Sequence, residues 1–278
     1  YKQDLKLGDS NIKQTSEQYR KIRNTFRFML GNLNGEDFDP KKDMISYNDL
    51  RAVDQYILVK LDEVVKQVRK DVLAYNYIDA NKVLMNFMVN ELSSYYCDFT
   101  KDILYCSNKE DVRRRQVQSV YWQCVDALVK LWAPFLCYTT EEIWTHFTND
   151  EEPSVHYTSY PQVQNYANAD SLKETFEKLL AIRSDVNKAL EEKRAEKEIS
   201  SSQEASITLG VDADTQALLE DTLEGDVAQW FIVSYVHYDN ASDSVLVQKA
   251  TGHKCPRCWN YTDSDHEEHV CSRCQSAL

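Results

Sequence analysis

Ile12-Lys-Gln-Thr-Ser-Glu-Gln-Tyr19-Arg-Lys-Ile22-Arg-Asn-Thr-Phe26-Arg-Phe-Met29-Leu-Gly31 sets the fold class of this chain. Ile12, Tyr19, Ile22, Phe26 and Met29 recur at the intervals that place side chains on one face of a helix. Arg20, Lys21, Arg23 and Arg27 fall on its other faces. Ser10 is placed to cap the start, and Gly31 to stop the end. After an acidic loop with Gly35 and Pro40, the same period returns from about Asn48 to Leu73, with Leu50, Val53, Ile57, Leu61, Val64 and Val68 facing inward. It returns again from about Ile78 to Leu104, and from about Asp111 to Leu131, where Pro134 ends it. Thr139-Thr-Glu-Glu142 reads as a capping box for a fifth, short helix, with Tyr138 and Ile143 as its hydrophobic staple. Long helices joined by short connections predict a mainly α chain built on an antiparallel bundle.

Periodicity lapses from Asn149 to Ala169, where Pro153 and Pro161 fall, and resumes in a charged helix from about Ser171 to Glu198. Its inner positions are Phe176, Leu180, Ile182, Val186 and Leu190. The texture then changes. Ala205–Leu209, Ala228–Val236 and Ser244–Gln248 alternate like strands, and Asp214–Leu223 reads as a short helix among them. The expected division is a helix bundle over 1–160, a small α+β unit over 161–250, and a cysteine-bearing tail over 251–278.

That tail carries the most specific motif in the sequence. Cys255-Pro-Arg-Cys258 and Cys271-Ser-Arg-Cys274 are two Cys-x-x-Cys knuckles twelve residues apart. Each pair turns two thiolates toward one point, and two pairs complete a tetrahedral sulfur shell for one structural zinc ion. With only Trp259, Tyr261, Val270 and Leu278 as large apolar residues, the tail needs an ion in place of a core. Four unrelated thiols or two disulfides are the other readings of the same residues. His253, His266 and His269 are alternative ligands, or outer partners of the four thiolates. Cys97, Cys106, Cys124 and Cys137 sit in apolar helical patterns, which predicts buried reduced thiols and a reducing, cytoplasmic setting.

The net charge of −13 excludes a protein that coats polyanions indiscriminately, yet its distribution leaves room for one basic face. Residues 1–30 hold seven Lys/Arg against three Asp/Glu, while the middle of the chain carries nearly all of the excess acid. No apolar run is long enough to cross a bilayer. No Gly-rich phosphate loop, Gly-x-Ser-x-Gly elbow or His-Glu-x-x-His pair is present, and a closed four-thiolate shell leaves no open position for catalysis. The sequence therefore predicts a binding piece with no catalytic residues of its own. Arg20, Arg23, Asn24 and Arg27 on the first helix, with Lys254, Arg257, Trp259 and Arg273 in the tail, are the candidate contacts to phosphates and unpaired bases. Arg113-Arg-Arg115, a basic run at a helix start, is a weaker candidate that otherwise reads as solvated.

Several stretches also resemble one enzyme family. Tyr19-Arg-Lys-Ile-Arg-Asn-Thr-Phe-Arg-Phe-Met-Leu-Gly-Asn-Leu33 with Phe38-Asp-Pro40, and Leu92-Ser-Ser-Tyr-Tyr-Cys-Asp98, are similar to the region beyond the catalytic domain of bacterial-type isoleucyl-tRNA synthetases. Leu131-Trp-Ala-Pro-Phe-Leu136 and Thr140-Glu-Glu-Ile-Trp144 resemble a segment shared among class I synthetases for aliphatic amino acids. Ala189-Leu-Glu-Glu-Lys-Arg-Ala-Glu-Lys-Glu-Ile-Ser-Ser-Ser202 and Phe231-Ile-Val-Ser234 resemble the family's linker. Cys255-Pro-Arg-Cys-Trp259 with Cys271-Ser-Arg-Cys274 is similar to its C-terminal zinc module. The two adenylate-forming signatures of that family are absent.

The resemblance thus implies a C-terminal portion made of a class I anticodon-binding domain, an α+β junction and a zinc knuckle. It implies the anticodon stem-loop of isoleucine tRNA as partner, with ATP and Mg handled by a catalytic domain of the same parent chain. A monomer in the cytoplasm is expected, with no DNA and no membrane partner. The other class of reading is a helical scaffold or regulatory protein whose zinc ribbon docks a protein partner.

Overall fold

The computed structural model describes residues 7–147, 152–263 and 270–278, so His266 and His269 lie outside the described residues. The chain is mainly helical, with small sheets toward its C-terminal end. It forms two compact units, each assembled from three separate stretches. The first takes 1–43, 60–96 and 118–165; the second takes 44–59, 97–117 and 166–278.

In the first unit, α1 (Asp9–Gly31) buries Ile22, Thr25, Phe26 and Met29. The apolar stripe read from the sequence is shorter than expected: Ile12 is 54% exposed and Tyr19 lies at the surface. Ser10 is inside the helix rather than at its cap; Gly8 stands there, in an extended conformation and without a side-chain bond. Gly31 is the last helical residue and Asn32 closes the end, its side-chain amide donating to the Phe28 carbonyl at 2.8 Å. After the single turn α2 (Pro40–Asp43), α3 (Ala52–Leu73) and α4 (Tyr77–Asn86) supply the next helices. The chain runs on from α4 as a π-helix over Phe87–Tyr96 and then as α5 (Cys97–Cys106), where a uniform helix is expected from the sequence.

Helix α6 (Val112–Trp132) sets Tyr121 edge-on to both Phe28 and Tyr96 inside the first unit. Helix α7 (Cys137–His146) begins before Thr139, so the expected capping box does not form. The amides of Phe135 and Leu136 both bond the Trp132 carbonyl, and this turn feeds straight into α7. Thr140 donates to the Leu136 carbonyl, and Tyr138 is 90% exposed and staples nothing. The exposed free thiol of Cys137 likewise departs from the expectation that all four helical cysteines are buried; Cys97, Cys106 and Cys124 are.

In the second unit, α8 (Ala169–Ala195) buries Leu172, Phe176, Leu179, Arg183, Val186 and Leu190, with the Phe176 ring stacked on Tyr56 at 4.3 Å. Leu180 and Ile182, expected inside, are only half-buried. Strand β1 (Ala205–Leu209) is central in the sheet. It pairs in parallel with β2 (Tyr235–Tyr238) and antiparallel with β3 (Val245–Lys249). Helix α9 (Ala213–Leu223) follows β1, its first turn held by the Asp212 carboxylate on the Thr215 amide at 2.7 Å.

The expected strand over 228–236 is divided. Val227–Phe231 is helical (α10), Ile232 takes a left-handed turn at φ 60°, and the strand starts at Tyr235. The reason is burial. Trp230 and Phe231 are adjacent and both fully buried, whereas a strand would turn one of them outward.

The Arg113–Arg115 run is neither solvated nor an open basic patch. Arg113 reaches Asp54 at 2.6 and 3.2 Å and Asp226 at 2.7 Å, and Arg51 meets Asp226 at 2.7 Å. Buried Arg114 donates to the Leu104 carbonyl, and Arg115 pairs with Glu110. Among the described residues, no helix is long and apolar enough to cross a membrane.

Candidate metal centre and nucleic-acid interface

The tail is built from turns that leave sulfur atoms facing inward. Strands β4 (His253–Lys254) and β5 (Tyr261–Thr262) pair as a two-residue hairpin. Gly252 enters it at φ 90°, with its backbone so close to Thr262 that a Cβ would lie 2.2 Å from the Thr262 carbonyl oxygen. Only glycine fits there. Between the strands, the Cys255 amide bonds the Asn260 carbonyl and the Trp259 amide bonds the Cys255 carbonyl, both at 2.9 Å, closing the first knuckle. Trp259 completes the turn at φ 66°. The second knuckle places Cys271 at the cap of the single-turn helix α11 (Ser272–Gln275), which carries Cys274.

The two knuckles meet. All four sulfurs lie within 4.8 Å of one another and all four residues are buried, without a disulfide among them. The Cys258 and Cys271 sulfurs are 3.8 Å apart. A tetrahedron with metal–sulfur bonds of about 2.3 Å has sulfur–sulfur edges of about 3.8 Å, so these residues fit a zinc ion. Although burial disfavours charge on Cys255, the amides of Cys258, Cys271 and Arg257 point at its sulfur and bring its pKa down to about 6. Burial pushes the Cys258 thiol up, and the Cys274 thiol up to about 12. A divalent cation supplies the charge that lets such buried thiols ionise.

Both knuckles carry arginine at the same place, Cys-x-Arg-Cys, and both arginines reach α5. Arg273 grips the Asp102 carboxylate with two bonds of 2.5 and 2.7 Å. Its pKa is raised by that partner against the opposing effect of burial. Arg257 donates to the Cys274 carbonyl at 2.9 Å and to the Tyr105 carbonyl at 3.3 Å. Gln229 also bonds Asp102. Arg257 and Arg273, expected as RNA contacts, are thus held by the module and its helix. Nothing in the residues around the knuckles signals these partners, because Asp102 and Tyr105 lie more than 150 positions away.

The remaining candidates are presented differently. Trp259 is 58% exposed, with the Lys254 ammonium 5.9 Å from its ring centre and also near Glu204 at 3.8 Å. On α1, Arg20, Arg23, Asn24 and Arg27 are all exposed. Arg20 makes a loose 3.3 Å contact with Glu17, and Arg23 a 3.4 Å contact with Glu142 on α7. Such surface pairs contribute roughly 0–1 kcal/mol and are easily exchanged for a phosphate.

A helical bundle joined to a small mixed sheet and a four-cysteine module is the class of protein that the fold and site define. The profile of the family described as "Anticodon-binding domain of tRNA ligase" matches residues 54–209, and the chain belongs to that family. It is 41% identical over 291 residues to the isoleucine–tRNA ligase of Bacillus licheniformis, an alignment that covers 99% of this chain and 31% of that one. Isoleucine–tRNA ligases of Staphylococcus epidermidis and Natranaerobius thermophilus are 39% and 36% identical over all of the chain. The chain spans about a third of the length of these curated relatives, and the match is to their C-terminal part.

Proposed function

We propose that this chain is the tRNA-binding C-terminal region of an isoleucine–tRNA ligase, one that holds the anticodon stem-loop of isoleucine tRNA. The observation that carries this reading is similarity over essentially the whole chain, bundle and cysteine module together, to enzymes of that name. The parent enzyme would join isoleucine to tRNA at the expense of ATP, with the adenylate chemistry in a catalytic domain outside this sequence. The functional division proposed is bundle over 1–160, junction over 161–250 and zinc module over 251–278, working as a monomer in the cytoplasm.

Zinc is the proposed ion, held by Cys255, Cys258, Cys271 and Cys274 in a closed structural shell. When bound it supplies the charge and the fixed point around which the tail orders; no chemical step passes through it. Arg20, Arg23, Asn24 and Arg27 take the phosphate backbone, while Trp259 and Lys254 offer a stacking face and a charge to unpaired bases. Arg257 and Arg273 act at the same interface by fixing the module that presents Trp259.

Filter binding with isoleucine tRNA transcripts tests the reading. Binding should weaken steeply with salt, with a slope of about 0.7–0.9 per neutralised phosphate, and should drop when the anticodon is changed. Equal and weak binding of every tRNA at low salt would instead favour a scaffold that docks a protein through its zinc ribbon.

A further inference from the structure

The four-sulfur centre has a fifth thiol beside it. Cys106, the last residue of α5, is buried in one cluster with Cys255, Cys258, Cys271 and Cys274, with Val270 packed against them. It is not one of the four sulfurs that lie mutually within 4.8 Å, so it stands just outside the shell. Its thiol lies near the Asp102 carboxylate that Arg273 grips, which sets it beside the second knuckle. A cleft of about 630 Å³ opens beside it, lined among others by Tyr105, Arg194, Trp259 and Asn260. Two of the five clustered cysteines line that cleft, Cys106 and Cys258. The cleft therefore borders one residue of the four-sulfur centre and one cysteine outside it.

We propose that Cys258 is an oxidation site and Cys106 its resolving thiol, so that a peroxide turns the centre into a Cys106–Cys258 disulfide and frees the metal. The proposal rests on the zinc reading above. In the first step the Cys258 sulfur attacks one peroxide oxygen. The O–O bond breaks, a sulfenic acid forms on the thiolate sulfur, and the other oxygen leaves as hydroxide, which takes a proton from solvent to become water. In the second step the Cys106 sulfur attacks the Cys258 sulfur. The S–S bond forms, the S–O bond breaks, and the departing hydroxyl takes the Cys106 proton as a second water. Two thiols lose two electrons to the peroxide, and thiol exchange with a reductant reverses the change. Loss of the Cys258 thiolate removes one of four ligands, which a closed tetrahedral site does not tolerate. Without a resolving thiol, the same sulfenic acid is open to further, irreversible oxidation.

The test uses the zinc-loaded chain carrying Cys137→Ser, which removes the exposed thiol. Zinc content is measured first, then stoichiometric hydrogen peroxide is added and released zinc is followed with a chromophoric chelator. Non-reducing peptide mapping should find Cys106 joined to Cys258, and dithiothreitol with fresh zinc should restore the metal. Adding Cys106→Ser should leave the starting zinc content unchanged and cut the zinc recovered after peroxide and reductant on the order of tenfold, with sulfinic acid on Cys258. A crosslink between two of the four knuckle cysteines would overturn the proposal. So would full recovery in the Cys106→Ser protein. If that variant fails to fold, the map on the parent protein decides alone. A chain that holds no zinc before peroxide defeats the metal reading, while the map still reports whether these two thiols pair.

Discussion

The arginines of α1 and the arginines of the two knuckles carry the same charge and are used in opposite ways. Arg20, Arg23 and Arg27 project from a helix whose buried face is made by Ile22, Phe26 and Met29, so their guanidinium groups stay in solvent with at most long, exposed pairs. Arg257 and Arg273 lie in a segment with almost no apolar core, and they donate to the Tyr105 and Cys274 carbonyls and to the Asp102 carboxylate. The two sets of arginines therefore differ in what surrounds them. On α1 the exposed guanidinium groups have at most long surface pairs; beside the knuckles they are tied to backbone carbonyls and to one carboxylate.

The sharpest way to break that contrast is to remove the metal. Cys258→Ser or Cys271→Ser should abolish zinc retention and loosen the tail, because structural zinc in finger peptides contributes about 10–16 kcal/mol of apparent binding energy. Metal analysis and circular dichroism should show zinc lost with the helical signal kept. Collapse of the helices with the metal would mean that the core of the bundle does not stand by itself.

Next in size is the buried network. Arg113→Met leaves the Asp54 and Asp226 carboxylates buried with less compensation, which should cost about 3–5 kcal/mol in urea unfolding. A loss under about 1 kcal/mol would show that Arg51 and water satisfy Asp226 unaided, and that Arg113 is as dispensable as a surface arginine.

Smaller, and more specific, is the difference between the two arginine sets. Alanine at Arg20, Arg23 or Arg27 should weaken tRNA binding and reduce its salt slope by about 0.7–0.9 for each phosphate no longer neutralised, with zinc content unchanged. Arg257→Ala should do the reverse, lowering zinc retention against a competing chelator while leaving the salt slope nearly unaltered. Identical behaviour of the two sets would erase the distinction. The smallest expected effect is at Ser10, where alanine should change stability by less than about 0.5 kcal/mol, since no cap bond is made there.

Much of this was legible in advance. The spacing of Cys255, Cys258, Cys271 and Cys274 is a local property, and the structure brings those four sulfurs together. The long helices also appear near their expected positions, because burial of one face repeats every three to four residues whatever the partner. Helix ends were less legible. Ser10 and Thr139 have the chemistry of caps, but the turns that start α1 and α7 are fixed by Gly8 and by the Trp132 carbonyl. Alternation misled over 228–236 because two adjacent aromatics, Trp230 and Phe231, are both wanted inside.

By itself, the order of residues determined the mainly helical class, the set of four cysteines able to hold a metal and the resemblance on which the functional reading stands. Each is written in intervals of two to four residues, or in a word of a dozen. Only the tertiary structure decided that Arg113 is buried between Asp54 and Asp226, that the knuckle arginines serve α5, and that Cys106 lies beside the four sulfurs. It also decided that each compact unit draws on three separated stretches of chain. Those pairings join residues 59 to 171 positions apart, and over such separations it is packing and desolvation that choose partners, with no local pattern to announce them.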